Sequence, residues 1–166
     1  MSDYFHRVYT ALLSTEIIPA FIRTKMMILY GYRLSPSACI WAGATIKSKK
    51  LVVGNETFIN YGFFFDGAGD LSIGKNVRIG QFFRVITATH EVGPSEQRCN
   101  IEAIIKPVSI EDGCWIGANV TVMPGVTIKR GCVIGANSLV VESTDEDCLY
   151  YGTPARRIKN FEGNVN

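Results

Sequence analysis

Histidine is almost missing from this chain. Among 166 residues there are two, His6 and His90. The five cysteines, Cys39, Cys99, Cys114, Cys132 and Cys148, include no CxxC pair. A structural zinc site takes four close-set Cys or His ligands, and no stretch supplies them. An odd number of thiols and no signal-peptide pattern lead us to expect reduced cysteines in a cytoplasmic protein. A strong charge of either sign is missing too: 17 Lys and Arg face 15 Asp and Glu, a net +2. That balance speaks against a basic nucleic-acid-binding domain. Nor is there a clean apolar run of ~20 residues, the length a spanning helix needs. The segment from Tyr4 to Leu34 is apolar, but Glu16, Pro19, Arg23 and Lys25 interrupt it. It reads as one or two amphipathic helices broken near Pro19. Packing on the domain or on a partner subunit is expected for it ahead of docking on a membrane surface.

What the chain has in quantity is a period. In VSIEDGCWIGANVTVMPGVTIKRGCVIGANSLVV, Ile110, Ile116, Val122, Ile128, Ile134 and Val140 fall six residues apart. Two residues before each stand Val108, Cys114, Val120, Val126, Cys132 and Ser138, all apolar or small. The same grammar appears earlier as Leu71/Ile73, Val77/Ile79 and Phe83/Val85, and again as Leu51/Val53, Thr57/Ile59 and Phe63/Phe65. A turn-rich insertion, DGAGD, separates these two triplets, and a weaker start lies at Ile40 and Ile46.

Residues i and i+2 of a strand share a face, so each hexad points two side chains inward. Gly, Asn and Asp follow, and these tolerate the backbone of a sharp corner. Three short strands and three corners close a triangular coil of 18 residues. Successive coils then pair as parallel strands with like residues stacked, which sets Cys114 above Cys132 in the core as small hydrophobes. About four to five coils are expected from Ser35 to Asp145.

Three further stretches narrow the reading. Trp115 to Ile128 reads WIGANVTVMPGVTI, and Gly152 to Lys159 reads GTPARRIK. Asn60 precedes His90 by thirty residues, with a loop after the histidine. Together with the repeat, these resemble the hexapeptide-repeat acyltransferases, and among them the galactoside, maltose and surface-polysaccharide O-acetyltransferases. The likeness covers Leu51 to Lys159. It implies an all-β solenoid, a left-handed parallel β-helix with an N-terminal helical segment and a protruding loop. The handedness comes from the resemblance, not from the spacing. The expected organisation is a helical segment over 1–34, the β-helix over 35–146 with its loop at 91–107, and a tail over 147–166 packing on the helix.

His90 closes a hexad with Thr89, so it is expected at a corner of the prism, facing out, with the regularity failing only at Glu91. A neutral imidazole there can take the proton of an alcohol as it attacks a thioester. Glu91, Glu96 or a backbone carbonyl would orient the ring. The resemblance implies an O-acetyltransferase that moves acetyl from acetyl-CoA to a sugar hydroxyl, with His90 as general base and no metal required. Asn60 matches the family's acceptor contact. Asp66 and Glu91 are further acceptor candidates, although the family's Asp in this turn aligns nearer Ala68. For coenzyme A the resemblance implies Trp115, Gly117 and Ala118 near the thiol, Ala136 and Ser138 further along, and Arg156, Arg157 and Lys159 on the phosphates. A backbone N–H of Gly117 or Ala118 is the candidate oxyanion donor. Ser138 is at odds with that role, since its column points inward. Val141-Glu142 also departs from the Thr-Lys that relatives often carry, and a glutamate repels phosphate.

Family members are homotrimers with sites between subunits, so the same is expected here. The apolar N-terminal segment looks most like the polysaccharide-modifying branch, which makes a bacterial surface polysaccharide or its precursor the expected acceptor. Alternatives on the same solenoid are an N-acetyltransferase of an amino sugar and a small-drug acetyltransferase. A γ-type carbonic anhydrase needs three zinc histidines, and only His90 lies in the repeat. A non-catalytic interaction module leaves His90, Asn60 and the closing basic cluster unexplained.

Overall fold

Hexads with two inward residues and a turn former give strands two or three residues long, and these are what the chain builds. The computed structural model describes residues 2–161. Two helices, α1 (Ser2–Leu13) and α2 (Ala20–Leu29), precede the solenoid, and Pro19 stands at the N-terminus of the second. The first coil is β1 (Arg33–Leu34), β2 (Cys39–Ile40) and β3 (Thr45–Ile46), and the second is β4 (Leu51–Val53), β5 (Phe58–Ile59) and β6 (Phe64–Phe65). The third is β7 (Leu71–Ile73), β8 (Arg78–Ile79) and β9 (Arg84–Val85). An arm of β10 (Ala88–Val92) and β11 (Cys99–Ile105) then leaves the prism. The fourth coil resumes as β12 (Val108–Ile110), β13 (Trp115–Ile116) and β14 (Thr121–Val122), and the fifth is β15 (Thr127–Ile128), β16 (Val133–Ile134) and β17 (Leu139–Val140). A sixth coil supplies β18 (Cys148–Gly152), which folds back on β19 (Ala155–Asn160).

The strands stack into three parallel sheets, one per prism face. Face A runs β1-β4-β7-β12-β15, face C runs β17-β14-β9-β6-β3, and face B runs from β2 to β18, with β19 added antiparallel at its end. Five complete coils thus begin at Arg33, two residues before the start read from the repeat. Register carries like onto like: Ile59, Ile79, Ile116 and Ile134 align across face B. Inside the prism Phe63 stacks on Phe83 at 5.8 Å, and Cys114, Cys132 and Cys148 are buried. Burial of this continuous column, at roughly 25 cal/mol per Å2 of apolar surface, is what holds strands too short to persist alone.

Both helices pack on the first coil. Leu13 and Met27 join the core, and Arg23 is buried between them. Its guanidinium donates to Leu13 O at 2.5 Å, Thr15 O at 2.7 Å, Ile18 O at 2.6 Å and Ile40 O at 2.9 Å. One cation thereby caps the end of α1 and ties both helices to β2. Burial lowers the pKa of this guanidinium.

Two expectations need correction. The coil that was to end at His90 ends at Val85, because Thr87 is drawn into the prism and Ala88 already pairs with Ile105 of the arm. The loop expected over 91–107 is most of an antiparallel hairpin that begins at Ala88, with a shift of register between His90 and Val92. Of the tail expected over 147–166, residues 162–166 lie outside the described residues, as does residue 1.

Candidate active site

On face B the outward side chains Phe58, Arg78, Trp115 and Val133 stack in register. The last three of these strands are each followed by a corner that opens on glycine: Gly80-Gln81, Gly117-Ala118 and Gly135-Ala136. Successive corners touch backbone to backbone. A Cβ on Gly80 would stand 2.6 Å from Ala118 N, and one on Gly117 would stand 2.5 Å from Ala136 N. Only glycine permits that approach. The result is an open groove of about 570 Å3, walled by Phe58, Arg78 and Trp115 and floored by Asn60, Gly80, Gln81, Gly117, Ala118, Gly135 and Ala136. Trp115 is 62% exposed, so a bound molecule has an aromatic surface to cover. At the same corner Asn119 donates to Asn137 at 2.7 Å, both in left-handed backbone, and Arg84 donates to Asn119. The N–H of Gly117 is committed to Ile134 O, which leaves Ala118 as the member of that pair with an unused donor.

His90 stands elsewhere, on the arm that leaves the corner between faces C and A. It is exposed, and its register partner is Ala103. Its Nδ1 lies 2.6 Å from Asn100 O. A carbonyl oxygen can only accept, so Nδ1 carries the proton and the neutral ring presents a lone pair at Nε2. Of the three candidates for orienting the ring, the geometry therefore favours a backbone carbonyl. Glu91 follows at an irregularity of the hairpin, and Glu96 is exposed near the tip.

Asp66 lies beneath the arm. Its carboxylate accepts from Thr87 N at 2.8 Å, Ala88 N at 3.2 Å and Ala68 N at 3.3 Å, and from the Thr87 hydroxyl. Thr87 is wholly buried, and its hydroxyl also accepts from Gly69 N at 2.8 Å. The residue taken as an acceptor contact thus anchors the root of the strand that carries His90.

Ser138 requires correction as a groove residue. It is buried in the core column above Val120, donates to Gly135 O at 2.7 Å and accepts from Gly152 N at 3.1 Å. A side chain turned into the prism cannot meet a ligand on its outside. Arg156, Arg157 and Lys159 are exposed on β19, the edge strand of the groove's own sheet. Arg156 lies 3.6 Å from Glu142 and Arg157 lies 3.1 Å from Asp145, while Lys159 stands over the Phe161 ring. Exposed pairs of this kind are worth about 0–1 kcal/mol, so an anion can exchange into them. Glu142, which departs from the relatives' pattern, is already matched by Arg156.

The structure therefore gathers Asn60, Trp115, Gly117, Ala118 and Ala136 in one groove. It sets His90, Glu91 and Asp66 at the next corner of the same chain.

Comparison with known proteins decides the family. The model of the bacterial transferase hexapeptide, six repeats, matches residues 107–141. A hexapeptide-repeat-containing acetyltransferase from Vibrio cholerae is 30% identical and superposes with a TM-score of 0.81, over 96% of this chain and 93% of that one. The chain belongs to the hexapeptide-repeat acyltransferases. Its prism is the left-handed parallel β-helix of that family. The same Vibrio cholerae protein, in a structure with acetyl coenzyme A, matches at 31% identity and a TM-score of 0.79, over 89% of this chain and 80% of that one. The galactoside O-acetyltransferase of Lactococcus lactis is 33% identical over 111 residues, which are 67% of this chain and 53% of that protein. The chain spans a little over half the length of several such curated relatives, between 52% and 57%.

Some groove residues of this hexapeptide-repeat protein escaped the sequence reading. Gly80 and Gln81 follow Ile79 as Gly117 and Ala118 follow Ile116, so aligning the hexads finds them. Arg78 beside Trp115 was hidden, because the arm sets these register partners 37 positions apart. The carbonyl of Asn100 has no signature in sequence at all.

Proposed function

We propose that this chain is an acetyl-CoA-dependent O-acetyltransferase acting on a sugar hydroxyl, with His90 as general base. The observation that carries the reading is the 2.6 Å contact of His90 Nδ1 with Asn100 O. It fixes the tautomer in which Nε2 can accept a proton. The thioester of acetyl-CoA supplies an electrophilic carbonyl carbon. His90 Nε2 removes the proton of the acceptor hydroxyl as its oxygen bonds to that carbon. Expulsion of the thiolate breaks the C–S bond, and the imidazolium returns the proton to sulfur. Ala118 N–H is the donor suited to the developing oxyanion.

The groove fits the pantetheine arm: it is open, floored by backbone at its glycines, and continues along face B toward Arg156, Arg157 and Lys159. The relative that carries acetyl coenzyme A supports the donor, and the galactoside enzyme supports the acceptor class. Because groove and histidine sit at different corners of one prism, we infer that the working unit is a homotrimer, in which one subunit's groove meets a neighbour's His90. Asn60 and Glu91 then approach the acceptor, which we take to be a bacterial surface polysaccharide or its precursor. We place the reaction in the cytoplasm, where acetyl-CoA is available. Among the described residues no helix is long and apolar enough to cross a membrane.

The test is release of free thiol from acetyl-CoA in the presence of a panel of sugars, amino sugars and drugs. Thiol release should require an acceptor, the product should be labile to mild alkali, and His90→Ala should lower turnover by about 100- to 10,000-fold. A His90→Ala protein as active as the parent refutes the mechanism. An alkali-stable product moves the acceptor to an amine.

A further inference from the structure

The N-terminal helices bury one face each and leave the other bare. Toward the first coil, α1 turns Leu13 into the core, His6 to Ile46 O and Tyr9 against Tyr30. On its other side Tyr4, Phe5, Val8 and Leu12 are exposed, and their spacing makes one stripe along the helix. In α2 the buried residues are Arg23, Thr24 and Met27, while Phe21, Ile22 and Leu29 are exposed. Ile17, between the helices, is 90% exposed, and Leu29 is 86% exposed. Packing on the domain thus accounts for only half of the apolar side chains in this segment.

Charge is sorted the same way. Residues 1–50 hold seven Lys and Arg against two acidic residues, whereas residues 51–166 hold ten against thirteen. The ion pairs of the described residues all lie between Lys75 and Arg157, so none neutralises the N-terminal end. Several of these cations stand against the helices. Arg7 and Lys47 line the cleft between α1 and β3, Lys49 lies 3.8 Å over the Tyr30 ring, and Lys25 is exposed on α2.

We propose that this end of the molecule docks on an anionic phospholipid surface. Tyr4, Phe5, Leu12, Ile17, Phe21 and Leu29 enter the boundary between headgroups and acyl chains, and the basic residues meet lipid phosphates. Charge complementarity selects this occupant. A second copy meeting this end face to face would set two basic ends against each other. The proposal does not depend on the chemistry assigned to His90.

The experiment is flotation of the full chain with phosphatidylglycerol vesicles and with phosphatidylcholine vesicles, alongside light scattering of the protein alone. The parent should float with phosphatidylglycerol and much less with phosphatidylcholine, and added salt should weaken binding. Ile17→Glu combined with Leu29→Glu changes two exposed positions and should leave the circular dichroism spectrum unchanged. It should lower the bound fraction on the order of tenfold. Lys25→Glu should weaken binding to phosphatidylglycerol alone. No flotation with phosphatidylglycerol, equal flotation with both lipids, or a smaller particle for the double variant overturns the proposal. The last result would make the face a contact between copies.

Discussion

Arg23→Met tests the way the helices are joined to the solenoid. The substitution keeps an apolar stem of similar length and removes four hydrogen bonds to main-chain carbonyls. The bonds to Leu13 O and Ile40 O are wholly buried, and the other two are partly so. A buried carbonyl left without a partner costs about 1–3 kcal/mol, so the two buried ones alone set a range of about 2–6 kcal/mol. Relief of the desolvation of the guanidinium returns part of this, and a net loss of about 3–4 kcal/mol is expected. The loss should be local, because each coil of a solenoid is held mainly by its neighbours. Amide hydrogen exchange should therefore show α1 and α2 losing protection while β12 to β17 keep theirs. Urea unfolding followed at 222 nm should show the helical signal fading before the β signal. Arg23→Lys should lie between, since an ammonium cannot reach four carbonyls in a planar fork. Unchanged helix protection and urea midpoint in Arg23→Met would refute the reasoning.

Asp66→Ala should loosen the root of the arm. Turnover on a soluble acceptor is expected to fall with little change in the KM for acetyl-CoA, whose proposed groove lies at another corner; an equal loss in both refutes a role through His90. Gly80→Ala should destabilise by about 2–4 kcal/mol, since its Cβ meets the backbone of the next coil, and a Gly113→Ala control, with open space around it, should cost about 1–2 kcal/mol for its left-handed φ of 71°. Denaturant midpoints of both variants check this. Burial pushes the Cys114 thiol up from 9.0 to about 12, and Cys132 is raised for the same reason. The unfolded chain releases these protons first, so stability should fall as pH climbs from about 9 toward 12. At about pH 8 iodoacetamide should label exposed Cys99 and spare Cys114, Cys132 and Cys148 in the folded protein.

The solenoid was legible because its physics is local and repeated. Ile110 through Val140 at intervals of six need no partner to be recognised, and all six are buried as that period requires. The corners were legible too, since Asn119 and Asn137 adopt the left-handed backbone that asparagine tolerates. Even the conflict over Ser138 was written in its column. Reading failed where the period stops. Thr87 falls outside the inward slots of the hexads, and nothing in the sequence says that Asp66 will hold it inside while the next residues leave. The pairing of β10 with β11 joins residues with no shared pattern, such as Thr89 and Ile104. Phe82 shows the same blindness: it holds a left-handed φ of 57°, rare for a bulky residue, in a slot filled elsewhere by Asn or Gly.

The arm between β9 and β12 also bears on how the family can vary. Leu71 pairs with Val108, 37 positions away, yet the ladder on either side continues as if nothing had been inserted. Elsewhere neighbouring coils are joined at intervals near 18, as for Trp115 and Val133. Doubling a closed loop costs only about 0.6 kcal/mol of chain entropy. A change in arm length is thus almost invisible to the folding equilibrium of the prism, provided that Thr87 and Lys106 still meet at its base. Selection can lengthen, shorten or replace residues 88–105 while the scaffold beneath is inherited unchanged. On the proposed mechanism, exchanging that segment between relatives becomes a practical route to altering which acceptor is chosen.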